Sequence, residues 1–488
     1  MIISTRNGDL SGATDSNGIH AFMGIPYAAP PVGARRFEPP QAPESWSRIR
    51  DATQPGATAP QSESTSALAT VIPNVIIPGD DYLNLNVWTA DAAASSPVMV
   101  FIHGGSFTSG SGAVAGYNGA RFARSGVVLV TINYRLGADG FLWFGDGTPN
   151  LGILDQVAAL EWVRDTIAAF GGDPANVTVF GESAGGMSVG TLLAMPAARG
   201  LFHRAIAESG LAHHSISRES ARLVGTRLAE ILGVAPTRAA IAEVPLTKLL
   251  AAQVQLGTEI GAKPHKDLWG DVAEKGLPFL PVVDGTVLPL SPIEAIAAGA
   301  SHTIDILAGN NSEEAGLLLT PGNKIAKLPK WLVYFVVRRT GLPLAGVRAY
   351  FRAQPKAKAS AVLVSILTDW LYRLPVLRVA EVHPRTRVYE FAWRSPAFDG
   401  AMGAFHGVEV PFVFDNLDSP AWAVMTGGIA PQSLADEVHG AWVAFAATGD
   451  PGWERYTPET RTAKRFGIPS ILTHNDRSEL REAWTGIR

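Results

Sequence analysis

Val177-Thr-Val-Phe180-Gly181-Glu-Ser183-Ala-Gly185-Gly186 joins a β-branched apolar run to a Gly-x-Ser-x-Gly pentapeptide. A strand that turns sharply into a helix can present a serine at the bend, above the edge of a sheet, provided that its neighbours lack bulk. Gly181, Ala184, Gly185 and Gly186 meet that condition around Ser183. The helix starting behind such a bend aims its free N–H groups and positive dipole end at any oxyanion formed there. A second pentapeptide, Gly186-Met-Ser188-Val-Gly190, follows no strand and falls inside the helix that comes next. Ser183 is therefore the candidate nucleophile.

Outward from this point, short apolar runs recur at residues 98–102, 127–132, 205–207, 304–308 and 387–391, separated by segments of helical period. That alternation predicts an α/β fold with a mostly parallel sheet, whose ligands bind at the carboxyl ends of the strands. Leu154, Val157, Leu160, Val163 and Ile167 recur at helical spacing between Asn150 and Gly171-Gly172, which predicts a bounded amphipathic helix. Residues 211–280 and 317–380 are expected to be helical insertions that pack over the carboxyl edge and shape a pocket. One domain, residues 1–488, is the simplest account. The most apolar run, residues 331–337, is far short of the roughly 20 residues that span a bilayer. It is expected to be a buried helix turn, the alternative being a lid or a membrane-touching surface.

Bulk properties narrow the chemistry. Among 488 residues, 47% are hydrophobic and 17% charged, enough apolar surface for a large core. A net charge of −4 without long runs of one sign offers no basic stripe for nucleic acid. Zero cysteines remove disulfides, thiolate metal sites and cysteine nucleophiles, and fit a reducing cytoplasm. The first residues show no basic region followed by an apolar one, so no signal peptide is expected.

After the run at 98–102 comes His103-Gly104-Gly105, an oxyanion-type loop in which Gly104, Gly105 and Ala184 are the expected N–H donors. His103 is expected to fix that loop. His406, after the run at 387–391 and next to Gly407, is the candidate base. The adjacent Glu313 and Glu314, after the run at 304–308, give the order serine, acid, histidine. Successive side chains at a strand end diverge, so one of the two glutamates should face the imidazole. Glu182 and Phe107 are expected at the substrate pocket.

Assembled, these motifs resemble the type-B carboxylesterase family, which includes cholinesterases and bacterial para-nitrobenzyl esterases. The segment from Phe22 to Gly33, Asp81-Tyr-Leu-Asn-Leu-Asn-Val-Trp88, Asn133-Tyr-Arg-Leu-Gly137, Phe170-Gly-Gly-Asp-Pro174 and Thr448-Gly-Asp-Pro451 carry the likeness in order, alongside the serine motif. The resemblance implies an α/β-hydrolase fold and a serine esterase of small to medium, largely uncharged esters, with no metal or cofactor. It implies Ser183 as nucleophile, His406 as base, Gly104, Gly105 and Ala184 as oxyanion donors, and Glu314 rather than Glu313 as the acid. Tyr82 stands where many relatives carry a disulfide cysteine, which suits an intracellular bacterial type. Residues 47–79 hold no Phe, Tyr or Trp, which argues against choline-ester specificity. The rival readings are an amide or carbamate hydrolase with the same residues and a catalytically silent binding protein of the neuroligin kind. Whether the chain is a monomer or a dimer stays open.

Overall fold

The computed structural model describes residues 1–63, 71–319 and 328–487, apart from the side chain of Arg339. Its centre is an eleven-stranded sheet. In chain order the strands are β1 (Ala13–Thr14), β2 (His20–Pro26), β3 (Asn84–Thr89), β4 (Ser96–Ile102), β5 (Val128–Ile132), β6 (Gly172–Glu182), β7 (Arg204–Glu208), β8 (Asp305–Asn311), β9 (Thr386–Phe391), β10 (Thr462–Phe466) and β11 (Ile471–His474). Their spatial order is β11-β10-β9-β8-β7-β6-β4-β5-β3-β2-β1. The strands from β10 to β5 in that order run parallel, and the outer ones pair antiparallel.

The apolar runs form strands because both faces are covered. Val98, Val100 and Ile102 of β4 enter one buried layer with Val128, Val130, Val177 and Val179. Met99 and Phe101 enter the opposite layer with Leu129, Phe180 and Leu307. Such continuous burial is what parallel strands require. The first layer is closed by helices α1 (Leu151–Thr166) and α2 (Ala184–Ala194). Ser188 of the second pentapeptide lies within α2, buried, as its sequence context predicts.

Three local expectations change. The helix after Asn150 is not amphipathic, because Ile153, Gln156, Val157, Leu160, Trp162 and Val163 are buried around most of its circumference. Asn150 holds the N-cap position through its carbonyl, which accepts from Ile153 and Leu154 N–H at 3.0 and 2.9 Å, but gives the helix no side-chain cap. It sits at φ 59° and clamps the backbone of Val282, its Nδ2 donating to the carbonyl at 2.9 Å and its Oδ1 accepting the N–H at 2.7 Å. The strand expected at 304–308 runs on to Asn311, since Gly309, Asn310 and Asn311 keep their ladder with Tyr389, Glu390 and Phe391.

Residues 211–280 hold helices α3 (Arg218–Leu232) and α4 (Leu246–Ala262), with a two-residue strand at Ile216–Ser217 that pairs with Val282–Val283. In residues 317–380, of which 320–327 lie outside the described residues, helices α5 (Lys330–Val337), α6 (Leu344–Ala353) and α7 (Ala359–Thr368) surround a third core with Tyr350, Trp370 and Trp484. The buried-turn expectation for 331–337 is half right. Val333 and Val337 enter this core, while Trp331 and Phe335 are 69% and 59% exposed. The longer apolar helix is Ala359–Val382, the only one among the described residues long and apolar enough to cross a bilayer; Val362, Ile366 and Trp370 bury it in the third core.

Candidate active site

Chain order and spatial order diverge at β4 and β6, so the strands leaving to β5 and to β7 open a crevice at their carboxyl ends. Neighbouring strands deliver functional groups there. β4 leads to His103, Gly104 and Gly105, β6 to Ser183, β7 to Ser209, β8 to Glu314 and β9 to His406.

Ser183 occupies φ 57°, ψ −120°, a conformation few L residues adopt. Strain of this kind costs on the order of 1–3 kcal/mol and persists where the surroundings enforce it. Its N–H donates to the Glu208 carbonyl at 2.9 Å, and its own carbonyl accepts from Met187 N–H at 2.9 Å. A Cβ on Gly185 would stand 1.9 Å from the Ile102 carbonyl oxygen, so only glycine lets α2 approach β4 this closely.

His406 Nε2 lies 2.8 Å from Ser183 Oγ, and Nδ1 lies 2.7 Å from Glu314 Oε2. Glu314 Oε1 accepts from Ser209 Oγ at 2.6 Å and from the Asn311 N–H at 2.6 Å. The carboxyl of Glu314 is fully buried and surrounded by donors. Glu313 turns the other way, pairing with Arg394 and accepting from Ala404 N–H at 3.0 Å. Both glutamates lie in a turn beyond β8, so the turn, not strand alternation, separates them.

The glycine loop is held from behind. His103 stacks on Tyr134 with ring centroids 4.6 Å apart, its Nδ1 donates to the Gly104 carbonyl at 2.8 Å, and Tyr134 Oη donates to the His103 carbonyl at 3.0 Å. Burial pushes His103 down to about 4, which keeps it neutral. Gly105 turns the chain at φ 111°, where a side chain would be strained. Its carbonyl accepts from Thr108 and Ser109 N–H, both at 3.0 Å. This leaves the N–H groups of Gly104, Gly105 and Ala184 without a backbone or side-chain acceptor among the described residues.

The two expected pocket residues have different surroundings. Phe107 is fully buried, its ring 4.8 Å from Phe141 and its carbonyl accepting Gly137 N–H at 2.7 Å, so it braces the loop from the core. Glu182 is buried beside the imidazole, with Oε1 3.2 Å from His406 Nε2. Burial pushes its carboxyl above the usual range, helped by Glu314 and opposed by His406. Burial likewise disfavours a charged His406, but Glu182 and Glu314 outweigh it and hold the imidazole above its ordinary value.

Residues 1–478 match the profile of the carboxylesterase family. The chain belongs to the carboxylesterase family. It is 38% identical to the para-nitrobenzyl esterase of Bacillus subtilis (strain 168) across 99% of this chain and 98% of that one. It is 35% identical to a phenmedipham hydrolase of Pseudarthrobacter oxydans, across 92% of this chain and 90% of the relative. Among solved structures, a carboxylesterase of Geobacillus stearothermophilus at pH 6.2 superposes with a TM-score of 0.86 at 36% identity, covering 99% of this chain and 100% of that one. The fold is accordingly that of an α/β-hydrolase, and the protein is a carboxylic ester hydrolase. The crevice brings the Ser183 hydroxyl, the His406 imidazole and the Glu314 carboxyl within hydrogen-bonding distance of one another.

Several residues of this crevice were not singled out in the sequence. Ser209 Oγ, besides donating to Glu314, lies 3.2 Å from Glu409 Oε1. Asn311 Nδ2 donates to the Phe405 carbonyl at 2.8 Å and also to Glu409, tying the histidine loop to β8. Burial drives Glu409 well above the carboxylate range, with Glu182 and Glu314 adding to it. Glu208, which accepts from Trp442 Nε1 at 2.7 Å, is raised by burial to about 8 despite that bond. The available signal was position: Glu208-Ser209-Gly210 also ends a strand of the central sheet.

Proposed function

We propose that the protein hydrolyses small to medium, largely uncharged carboxylic esters through an acyl-enzyme on Ser183. The observation that carries this reading is the hydrogen-bonded run from Ser183 Oγ through His406, at 2.8 Å and 2.7 Å, to Glu314. His406 Nε2 takes the hydroxyl proton as Oγ attacks the ester carbonyl, and Glu314 holds Nδ1–H and steadies the imidazolium. Gly104, Gly105 and Ala184 donate to the oxyanion, each such donor being worth about 3–4 kcal/mol in the transition state. The imidazolium then protonates the leaving alcohol, and water activated by His406 releases the acid. A metal has no part in these steps. We read residues 1–488 as one catalytic domain in which 211–280 and 317–380 frame the pocket, and the lack of cysteine as the mark of a bacterial cytoplasmic enzyme.

Incubation with diisopropyl fluorophosphate tests the nucleophile. One phosphoryl group per chain, found on Ser183 by peptide mass spectrometry together with full loss of hydrolysis, is expected. A label on another residue would refute the assignment.

The charge balance sets a pH dependence. A base held above its ordinary value is protonated, and idle, to a higher pH, so the acid limb of kcat/KM lies above about 6.5. Glu182→Gln removes one of the charges that favour imidazolium, and the limb moves to lower pH by on the order of one unit. A limb that stays in place would show that Glu182 exerts no pull on His406.

A further inference from the structure

The ring of Tyr372 lies against the His406 imidazole, with centroids 4.8 Å apart and planes inclined by 39°. Tyr372 comes from Asp369–Arg373, a π-helical turn between α7 and the helix Leu374–Val382. Turns of this kind disrupt the regular helical ladder and recur where a side chain must be placed for function. This one is pinned at both ends. Arg373 pairs with Asp369 in the same turn and with Glu390 on β9, and Glu390 accepts from Arg465 Nε at 2.5 Å. Asp369 also accepts from Tyr350 Oη, which in turn accepts from Trp484 Nε1 at 2.8 Å. The turn is thus tied to the central sheet on one side and to the third core on the other.

The hydrogen bonds of His406 fix its two nitrogens but leave the imidazole free to tilt about the line joining them. A ring held against it at 39° limits that tilt. We propose that Tyr372 is a positioning residue for His406, and that Arg373 sets its place by clamping the π turn to Asp369 and Glu390. This rests on His406 being the base of the reaction proposed above.

The test measures hydrolysis of para-nitrophenyl butyrate by the full chain, with sites counted by complete titration with diethyl para-nitrophenyl phosphate. Misplacement of a catalytic group by about 1 Å costs on the order of 100-fold. Tyr372→Leu is expected to lower kcat per titrated site by on the order of 10- to 100-fold, with KM held within about threefold, while Tyr372→Phe, which keeps the ring, recovers kcat to within about threefold. Arg373→Met is expected to lower kcat in the wild-type background and to add little in the Tyr372→Leu background, the non-additivity of residues that act through one another. If Arg373→Met does not accumulate as folded protein, Tyr350→Phe, which removes the hydroxyl that holds Asp369 to the third core, replaces it in the cycle. An unchanged kcat per site in Tyr372→Leu, a loss confined to KM, or losses that multiply in full would overturn the proposal. Chains that take up no phosphoryl group at Ser183 would instead sink the nucleophile assignment, because the count reads that residue whichever side chain stands at position 372.

Discussion

Ser183→Ala lowers kcat for para-nitrophenyl acetate by on the order of 10⁶-fold and leaves the fold intact. On the acyl-enzyme route proposed above the loss is this large because the hydroxyl is the atom to be acylated, and His406 as base has no proton to remove. What remains is the contribution of the oxyanion amides and of substrate binding, roughly 10³ to 10⁴ over water. Stability should hold, since the side chain gives up only its bond to His406 Nε2, whereas the backbone bonds to Glu208 and Met187 that keep the bend in place survive. Kinetic assays with matched thermal melts check both halves. Ser188→Ala supplies the internal control. Its hydroxyl accepts from Gln156 Nε2 at 3.0 Å inside buried α2, away from the crevice, and kcat should change by less than about twofold. Wild-type turnover in Ser183→Ala would end the acyl-enzyme reading, and a dead Ser188→Ala with an active Ser183→Ala would transfer it to the other pentapeptide.

The strand-to-helix bend at Ser183 was legible because its requirements are local: an apolar run, then small residues, then helix. The carboxyl-edge placement of Gly104, His406 and the paired glutamates was legible for the same reason, each following an apolar run that forms a strand of the parallel sheet. Side-chain direction was not. Glu182 and Phe107 adjoin functional residues in the chain, yet one faces the imidazole and the other the core, and neither composition nor spacing encodes which. Residues 331–337 are apolar throughout, so periodicity cannot tell Val333 and Val337, which are buried, from Trp331 and Phe335, which are not. Ser209, Glu409 and Tyr372 escaped notice because their contacts depend on partners far along the chain, such as Glu314, which lies 105 positions after Ser209. A lone serine, acid or tyrosine outside a motif carries no mark of the pair it will form.

Glu314→Gln separates the two adjacent glutamates and is expected to lower kcat by on the order of 10⁴-fold, about 5 kcal/mol of transition-state stabilisation. The argument follows the donors. Oε1 of Glu314 receives the Asn311 N–H and the Ser209 hydroxyl, both at 2.6 Å. A glutamine in this place must turn its carbonyl oxygen towards that fixed N–H, because leaving a buried backbone donor unpaired costs about 1–3 kcal/mol. Its amide nitrogen then faces His406 Nδ1, which can only accept. The imidazole proton is forced onto Nε2, the nitrogen 2.8 Å from Ser183 Oγ, and the base is lost without any displacement of atoms. Glu313→Gln meets no such conflict. Its carboxyl pairs with Arg394 near the surface and accepts Ala404 N–H at 3.0 Å, a bond that an amide oxygen can also accept, so kcat should stay within about threefold of wild type. Rates of both variants on a para-nitrophenyl ester, measured at several pH values, decide the matter. An active Glu314→Gln beside a dead Glu313→Gln would move the acid to the other residue, and equal small losses in both would mean that His406 works without an orienting carboxylate.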